Sequence, residues 1–395
     1  MRLIKHIKAS NLLSFGPDGL DLELHDLNVL IGANGSGKSN FLEIFELLRA
    51  LPKGEEDANN LYSVISRGGG FSEWTWKGDK GLPNIFIEAT LGDTPGLIHG
   101  FQLNMLIYLE LEYIKSEKFL SESGNVTRER HITFYRKDLS KNISVWNAKT
   151  RKSEKIKPAN FSLSILSQRI NNSQINHIVH ELEYAYERIS IYREWSFGRN
   201  TIFRLTQRAD LRNDRLESDF SNLGIFLSRL RKDPATKRVL ITALQDLYEG
   251  LTDFEIVTEG GTVQIFFTEG DFSIPATRLS DGTLRYLCLL ALLLDPTPPP
   301  LICIEEPELG LHPDVLPKIA DLLIEASKRT QLIVTTHSDV LIDALSQQPE
   351  SVLVFEKEDG QTKVKRLNNE DLKHWLSDYS LGQLWLRGEI GGKRW

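Results

Sequence analysis

The first 50 residues alternate between apolar and polar positions as strands do, and they then change to a helical period. Leucines occupy every second position over residues 20–24, and the apolar run Leu27–Ile31 ends at a glycine. Over residues 39–51 the apolar positions recur at spacings of three and four, which predicts an amphipathic helix. Pro52 and Gly54 indicate where this helix ends.

The patterns that follow predict more strands, then helices, then a return to strands and helices. Stretches rich in β-formers predict antiparallel strands at 84–91, 101–113, 130–136 and 143–147. Residues 161–250 have mostly a helical period and carry more charge, and a strand pair follows at 254–257 and 263–268. The last third alternates strand and helix patterns and includes a hairpin near 352–366.

The composition of the 395 residues is that of a globular protein, with 41% hydrophobic and 26% charged residues. A net charge of −7 argues against a protein that binds nucleic acid with its whole surface. It does not exclude a local basic region that binds nucleic acid. Cys288 and Cys303 are too few for a disulfide framework or a four-ligand zinc site. There is no apolar core of a secretory signal, and the longest apolar run has nine residues. We therefore expect a cytoplasmic protein without a membrane partner.

Residues 32–39 read Gly-Ala-Asn-Gly-Ser-Gly-Lys-Ser and match the phosphate-loop pattern G-x-x-x-x-G-K-[ST]. Backbone N–H groups of such a loop form an anion nest at a helix N-terminus. Lys38 is expected to reach the β- and γ-phosphates, and the Ser39 hydroxyl is expected to bind Mg²⁺. The predicted ligands are ATP and Mg²⁺, and the predicted nucleotide-binding residues in this loop are Gly32, Asn34, Gly35, Ser36, Gly37, Lys38, Ser39 and Asn40. A glycine-rich turn that only caps a helix is the alternative.

Two further apolar runs end in polar residues that suit phosphoryl transfer. The run Leu301-Ile302-Cys303-Ile304 ends in Glu305 and Glu306, which is the Walker B arrangement of one acid at the metal and its neighbour at the attacking water. The run 332–334 precedes His337, which could contact the γ-phosphate. Each pattern alone also fits a solvated strand end.

The segment Arg278-Leu279-Ser280-Asp281-Gly282-Thr283 precedes an apolar helix. It resembles the Leu-Ser-Gly-Gly-Gln signature of ABC-type ATPases, but it has Asp281 and Thr283 at the third and fifth positions. An ordinary turn followed by a capped helix is the other interpretation.

Together these motifs resemble the ABC-type ATPases of the RecF/SMC/OLD branch, which are associated with DNA. Residues 32–40 resemble the Asn-Gly-Ser-Gly-Lys-Ser-Asn loop of that branch, and residues 7–15 (Ile-Lys-Ala-Ser-Asn-Leu-Leu-Ser-Phe) resemble its opening strand and turn. Residues 306–313 (Glu-Pro-Glu-Leu-Gly-Leu-His-Pro) resemble its Glu-Pro-Glu-x-x-Leu-His-Pro run, where transporter subunits differ. The resemblance covers about residues 1–50 and 270–345. Glu305 stands where the family usually has Asp.

The resemblance implies an α/β fold, namely an ABC-type P-loop ATPase head with a mixed, largely parallel core sheet, an antiparallel β subdomain and a helical insertion. We expect four segments: 1–51, the first half of the head; 52–160, a loop-rich and antiparallel β subdomain; 161–269, a mainly helical insertion ending in a β-hairpin; and 270–395, the second half. Long coiled-coil arms are excluded because no heptad pattern persists. The length after His337 leaves no room for a TOPRIM nuclease domain, so we expect a separate nuclease or effector partner.

The resemblance also implies the roles of the site residues. Two heads would enclose two ATP molecules in a homodimer, with the signature residues Ser280 and Gly282 of one subunit on the nucleotide of the other. Glu306 would activate water, His337 would sense the γ-phosphate, and Ser39 with Glu305 would hold the metal.

Two basic stretches bear on the partner. Residues 126–157 hold ten Lys or Arg residues against three acids, with aromatic residues among them, which suits either DNA contact or a solvated edge hairpin. A second group, Arg204, Arg208, Arg212 and Arg215, has helical spacing and suits a salt-bridged surface helix, a DNA groove or a partner's phosphates. Two hypotheses remain: an ATP-dependent switch on DNA in repair or defence, and an ATP-dependent scaffold that binds a toxin or effector without DNA.

Overall fold

The computed structural model describes residues 2–78, 84–92, 97–103, 109–120, 128–137, 143–147, 152–155, 163–168, 173–193, 195–196, 198, 200–202 and 204–392. The strands are β1 (Ile4–Ser10), β2 (Leu20–Glu23), β3 (Leu27–Ile31), β4 (Ile85–Leu91), β5 (Leu97–Leu103), β6 (Leu109–Leu120), β7 (Arg128–Lys137), β8 (Ile143–Asn147), β9 (Lys152–Lys155), β10 (Ile189–Tyr192), β11 (Gln207–Arg208), β12 (Leu251–Glu259), β13 (Thr262–Glu269), β14 (Phe272–Pro275), β15 (Leu301–Glu305), β16 (Gln331–Thr335), β17 (Val352–Glu358) and β18 (Gln361–Arg366). The helices are α1 (Lys38–Ala50), α2 (Leu61–Arg67), α3 (Phe71–Trp74), α4 (Ser173–Glu187), α5 (Leu223–Leu230), α6 (Pro234–Gln245), α7 (Asp281–Leu293), α8 (Leu316–Ser327), α9 (Asp339–Asp343), α10 (Asn369–Leu372) and α11 (Leu381–Arg387).

The central sheet has six strands in the order β10-β15-β16-β3-β17-β18. Its neighbouring strands are parallel except for the β17–β18 hairpin. All five residues of β3 and of β16 are buried, because a parallel sheet is covered on both faces. Val29 and Ile31 lie in one apolar core with α7 and α8, whereas Leu30 lies in the other with α1. The predicted mixed, largely parallel core sheet is confirmed.

The second sheet is antiparallel and has eight strands in the order β2-β1-β4-β5-β6-β7-β8-β9. Its inward-facing residues share the apolar core that includes Phe41, Phe45 and Leu48 of α1. A third sheet contains β11, β13 and β12, with β14 paired to β13. The chain leaves β14 directly into residues 276–283, so the third sheet leads into the signature-like segment.

Strand β10 is the main difference from the sequence prediction. Residues 161–250 were expected to be mostly helical, and α4, α5 and α6 do lie there. The run Ile189-Ser190-Ile191-Tyr192 instead forms a parallel strand beside β15, with Tyr192 opposite Ile304. Four residues are too few for periodicity to separate a buried strand from a helix. The four segment boundaries stay predictions, but one strand of the expected insertion belongs to the core sheet.

The prediction of a surface helix from the spacing of Arg204, Arg208, Arg212 and Arg215 is wrong. Among the described residues 204–222, the only regular element is the two-residue strand β11. Arg208 pairs with Asp210 and Arg212 pairs with Asp214, each two residues along the chain. Such local pairs form without a helix, so the spacing of four carried no helical signal.

Within the described residues, no helix is long and apolar enough to cross a membrane.

Candidate functional site

The predicted site residues meet at one edge of the central sheet because their strands are parallel. Val334 of β16 lies opposite Val29 of β3, and Glu305 at the end of β15 lies opposite Thr335 at the end of β16. The phosphate loop therefore follows β3 at the same edge at which β15 presents its acids and β16 leads to His337.

The phosphate loop has the backbone that an anion nest requires. Gly35 and Gly37 have φ values of 75° and 105°, which side chains other than glycine rarely adopt. Helix α1 begins at Lys38 without a side-chain cap, so its first N–H groups are free of a capping oxygen. The buried Ser36 hydroxyl has no hydrogen-bond partner in the described part of the chain. Donors without acceptors at a helix N-terminus fit a bound phosphate.

Lys38 lies within this loop. It is 6% exposed, and its ammonium group donates to the carbonyl oxygens of Gly32 at 2.7 Å and Ala33 at 3.0 Å. Burial lowers the pKa of Lys38 to about 8, although the nearby carboxylates of Glu306, Glu305 and Glu308 oppose the shift. A phosphate in the loop would place an anion directly against this buried cation.

Ser39 and Glu305 form the candidate cation site. The Ser39 hydroxyl donates to Oε1 of Glu305, which brings two oxygen ligands together from α1 and β15. Among the described residues, no group of three His, Cys, Asp or Glu side chains could hold a metal alone. A hydroxyl and one carboxylate fit Mg²⁺, which keeps waters and phosphate oxygens as its other ligands.

Glu306 and His337 face each other beside this pair. His337 Nε2 lies 3.5 Å from Oε1 of Glu306, and both side chains are about a quarter to a third exposed. Glu306 has φ = 46°, a left-handed conformation that is rare for glutamate, and its N–H donates to the Thr335 carbonyl at 3.1 Å. Strained backbone of this kind is concentrated at functional sites.

Glu308 holds the backbone that carries His337, a role for which the sequence pattern offers no signal. Its Oε1 accepts from the Thr336 hydroxyl at 2.8 Å and from the His337 N–H at 2.6 Å. Burial raises the pKa of Glu308 above its ordinary value, although these donors oppose the shift.

The signature-like segment presents its serine at the surface. Ser280 is exposed and caps α7, because its hydroxyl accepts from the Thr283 N–H at 3.0 Å. A Cβ at Gly282 would lie 3.2 Å from the carbonyl oxygen of Gly310, so the start of α7 packs against the loop that follows Glu306. These contacts tie the signature-like segment to the 306–313 run.

Two structural braces were not predicted. The Thr362 hydroxyl donates to the Ser36 carbonyl at 2.8 Å and lies 2.7 Å from the Ser14 hydroxyl, to which Asn40 also donates at 2.8 Å. The second brace is the ion pair between Arg193 and Glu305.

The nucleotide-binding role predicted for Asn40 stays a prediction, and so do the roles of the other site residues.

The basic stretch 126–157 is described only in part. Lys141, Lys149, Arg151 and Lys157 lie outside the described residues. Among the described side chains, Lys152 and Lys155 of the edge strand β9 are exposed, and Lys137 is 3% exposed.

The fold and the site together define a P-loop ATPase head. Over 94% of this chain and 99% of the other, the structure is similar to an Smc head bound to the C-winged helix domain of ScpA, with 17% identity and a TM-score of 0.56. It is also similar to an Smc head domain with an extended coiled coil, bound to the C-terminal domain of ScpA derived from Pyrococcus furiosus. That match covers 96% and 99% of the two chains at 14% identity, with a TM-score of 0.51. These likenesses show the fold.

The amino-acid sequence places the chain in a protein family. Residues 27–343 match the family described as "AAA domain, putative AbiEii toxin, Type IV TA system", and the chain belongs to this family. A comparison with curated proteins found no significant match. The chain thus belongs to this AAA-domain family and has the fold of an Smc head, which agrees with the resemblance of its motifs to the ABC-type ATPases of the SMC/RecF branch.

Proposed function

We propose that the protein binds and hydrolyses ATP and that ATP closes two copies into a dimer that acts on DNA. The observation that carries this proposal is the convergence of Ser39, Glu305 and Glu306 at one sheet edge, with His337 3.5 Å from Glu306.

Each residue has a defined part in hydrolysis. Lys38 and the loop N–H groups bind the phosphates, and Ser39 with Glu305 would hold Mg²⁺. When bound, Mg²⁺ neutralises charge that develops on the phosphate oxygens. Glu306 orients the attacking water and accepts its proton, and His337 donates to the γ-phosphate.

The exposed signature-like segment supports the proposed dimerisation. Ser280 uses its hydroxyl to cap its own helix and faces solvent, so it is available to a second molecule. The resemblance to ABC-type ATPases supplies the expectation that it meets the nucleotide held by Lys38 of another copy. A homodimer completes two such sites by one two-fold axis.

DNA is the proposed object of the switch, in repair or in defence against invading DNA, with a separate nuclease or effector protein. The support is the SMC/RecF resemblance together with exposed Lys152 and Lys155 on β9. A second candidate is an ATP-dependent scaffold that binds a toxin or effector without DNA. It is favoured by the family description, which names a toxin, and by the lysines of β9, since edge strands also carry lysine to prevent pairing.

The experiment uses Glu306→Gln, which keeps the shape of the side chain and removes the base. With ATP and Mg²⁺, this variant should elute as a dimer from a sizing column coupled to light scattering, and its hydrolysis should fall by at least about 100-fold. Combining it with Lys38→Ala should restore the monomer. A Glu306→Gln protein that binds ATP but stays monomeric would show that the dimer proposal is wrong.

A further inference from the structure

Arg193 connects the edge strand of the core sheet to the candidate cation site. It follows β10 directly, and the parallel register of β10 with β15 places it beside Glu305. Its Nε donates to Oε2 of Glu305 at 2.9 Å, and its side chain is 24% exposed. No motif assigns a role to this arginine.

The same guanidinium is anchored to the helix that carries Ser39. One terminal nitrogen of Arg193 donates to Oε1 of Glu43 at 2.5 Å. Ser39 and Glu43 are one turn apart on α1, so they lie on the same face of the helix. Arg193 therefore bridges α1 to β15 at the level of the candidate cation site.

Glu305 is held at three separate atoms by this arrangement. Ser39 donates to Oε1, Arg193 donates to Oε2, and the indole N–H of Trp195 donates to the main-chain carbonyl at 2.7 Å. Only Oε1 faces the serine that would share a cation with it. The two carboxylate oxygens of Glu305 thus contact Ser39 and Arg193 at the same time.

We propose that Arg193 is a positioning residue that leaves Glu305 one oxygen for a cation and thereby makes the site selective for Mg²⁺ over Ca²⁺. The inference rests on the proposed nucleotide and Mg²⁺ binding of this site.

The selectivity follows from the coordination preferences of the two ions. Mg²⁺ demands a small octahedral shell and takes single carboxylate oxygens, whereas Ca²⁺ accepts six to eight oxygens and often binds both oxygens of one carboxylate. A guanidinium on Oε2 prevents the two-oxygen mode. Without Arg193, the carboxylate is free to turn and offer both oxygens.

The positive charge of Arg193 does not by itself exclude a cation. Burial favours loss of its proton, but Glu43 and Glu305 outweigh burial and raise the pKa of Arg193 above its usual range. Glu43 and Glu305 pair with Arg193, and Glu306 lies near Lys38, so these three carboxylates still exceed the two cations by one negative charge.

The test measures binding of a fluorescent ATP analogue to the full chain while Mg²⁺ or Ca²⁺ is titrated. In the Arg193→Gln variant, the preference for Mg²⁺ over Ca²⁺ should fall by about 10-fold or more, as is typical when a residue that orients a ligand is removed. Glu43→Gln, which removes only the anchor of Arg193, should give a smaller shift in the same direction. It also provides a second variant if Arg193→Gln does not fold.

Arg49→Gln is the matched control. Arg49 lies on α1, is 26% exposed and pairs with Glu46 at 2.6 Å, and it lines the same cavity of about 810 Å³ as Arg193 without an ion pair to Glu305. Its cation preference should equal that of the unchanged protein. If Arg193→Gln weakens binding of the analogue equally with both ions, or not at all, the preference for Mg²⁺ is unchanged and the inference is overturned. If the unchanged protein binds the analogue without any dependence on divalent cations, the proposed function fails first.

Discussion

Arg204, a buried residue of the segment before β11, forms an ion pair with Asp281 of the signature-like segment. The same guanidinium donates to the carbonyl oxygen of Leu279 at 2.7 Å. Asp281 follows Ser280 directly, and Arg204 neutralises its carboxylate. Arg204 therefore holds the Leu279 backbone and the Asp281 side chain on either side of the serine that would meet a second subunit's nucleotide.

Replacing Arg204 with Met should weaken ATP-dependent dimerisation. The substitution leaves the Leu279 carbonyl without its charged donor, which should lower the free energy of unfolding by about 1.5–3 kcal/mol. In the Glu306→Gln background, light scattering should then require a higher protein concentration for the ATP-bound dimer, while ATP affinity of the monomer stays unchanged. Arg208→Met is the control, since Arg208 is exposed and forms a surface ion pair with Asp210. An equal effect of both variants on dimerisation would contradict the positioning role.

The pKa of Lys38 makes nucleotide binding depend on pH. Burial lowers that pKa to about 8 in the free protein, so Lys38 loses its proton as the pH rises through this value. Phosphate binds the charged form, which means that binding restores the proton and raises the pKa. ATP affinity should therefore be constant below about pH 7 and fall by up to about tenfold per pH unit above pH 8.

Isothermal titration calorimetry checks this in two buffers of different ionisation enthalpy. Near pH 8 the apparent binding enthalpies should differ, because about half a proton per site is taken up from the buffer. Lys38→Arg, whose guanidinium stays charged, should show no uptake. An affinity that does not change between pH 7 and pH 9 would show that the titration of Lys38 does not control phosphate binding.

Much of the site was predictable because its residues lie in continuous runs whose backbone pattern determines their place. An apolar strand, a glycine-rich turn and an amphipathic helix put Lys38 and Ser39 at a strand end without knowledge of any other segment. Arg193 could not be found in this way. Its partner Glu305 lies 112 residues along the chain, and the contact exists only because β10 pairs with β15. Arg204 was noticed for its spacing, but its partner depends on a long-range contact that spacing cannot encode.

The exposed lysines of β9 separate the two candidate functions. Gln substitutions at Lys152 and Lys155, together with Lys149 and Arg151, should abolish salt-sensitive DNA binding if the stretch binds the phosphate backbone. Fluorescence anisotropy at several salt concentrations measures this, and the slope of log affinity against log salt should become shallower by about 0.9 for each duplex phosphate that is no longer neutralised. Gln substitutions at Lys357 and Lys373, exposed lysines outside the eight-stranded sheet, are the control. Unchanged DNA binding, or none in the starting protein, would favour the scaffold.

Thr362 tests whether the hairpin β17–β18 supports the phosphate loop. Its hydroxyl donates to the Ser36 carbonyl at 2.8 Å, and the residue is 2% exposed. Thr362→Val keeps the shape and leaves that carbonyl without the donor, which should cost about 1–3 kcal/mol of stability.

The affinity of the Thr362→Val variant for ATP should fall together with its stability, because Ser36 and Gly37 carry N–H groups of the anion nest. A Cβ at Gly37 would come within 2.2 Å of the Thr362 hydroxyl, so the loop and the hairpin are in direct contact. Thr362→Ser retains the hydroxyl and should bind ATP almost as the unchanged protein does. Chemical denaturation gives the stability and equilibrium titration gives the affinity. If Thr362→Val loses stability but binds ATP as tightly as Thr362→Ser, the hairpin stabilises the fold without supporting the loop.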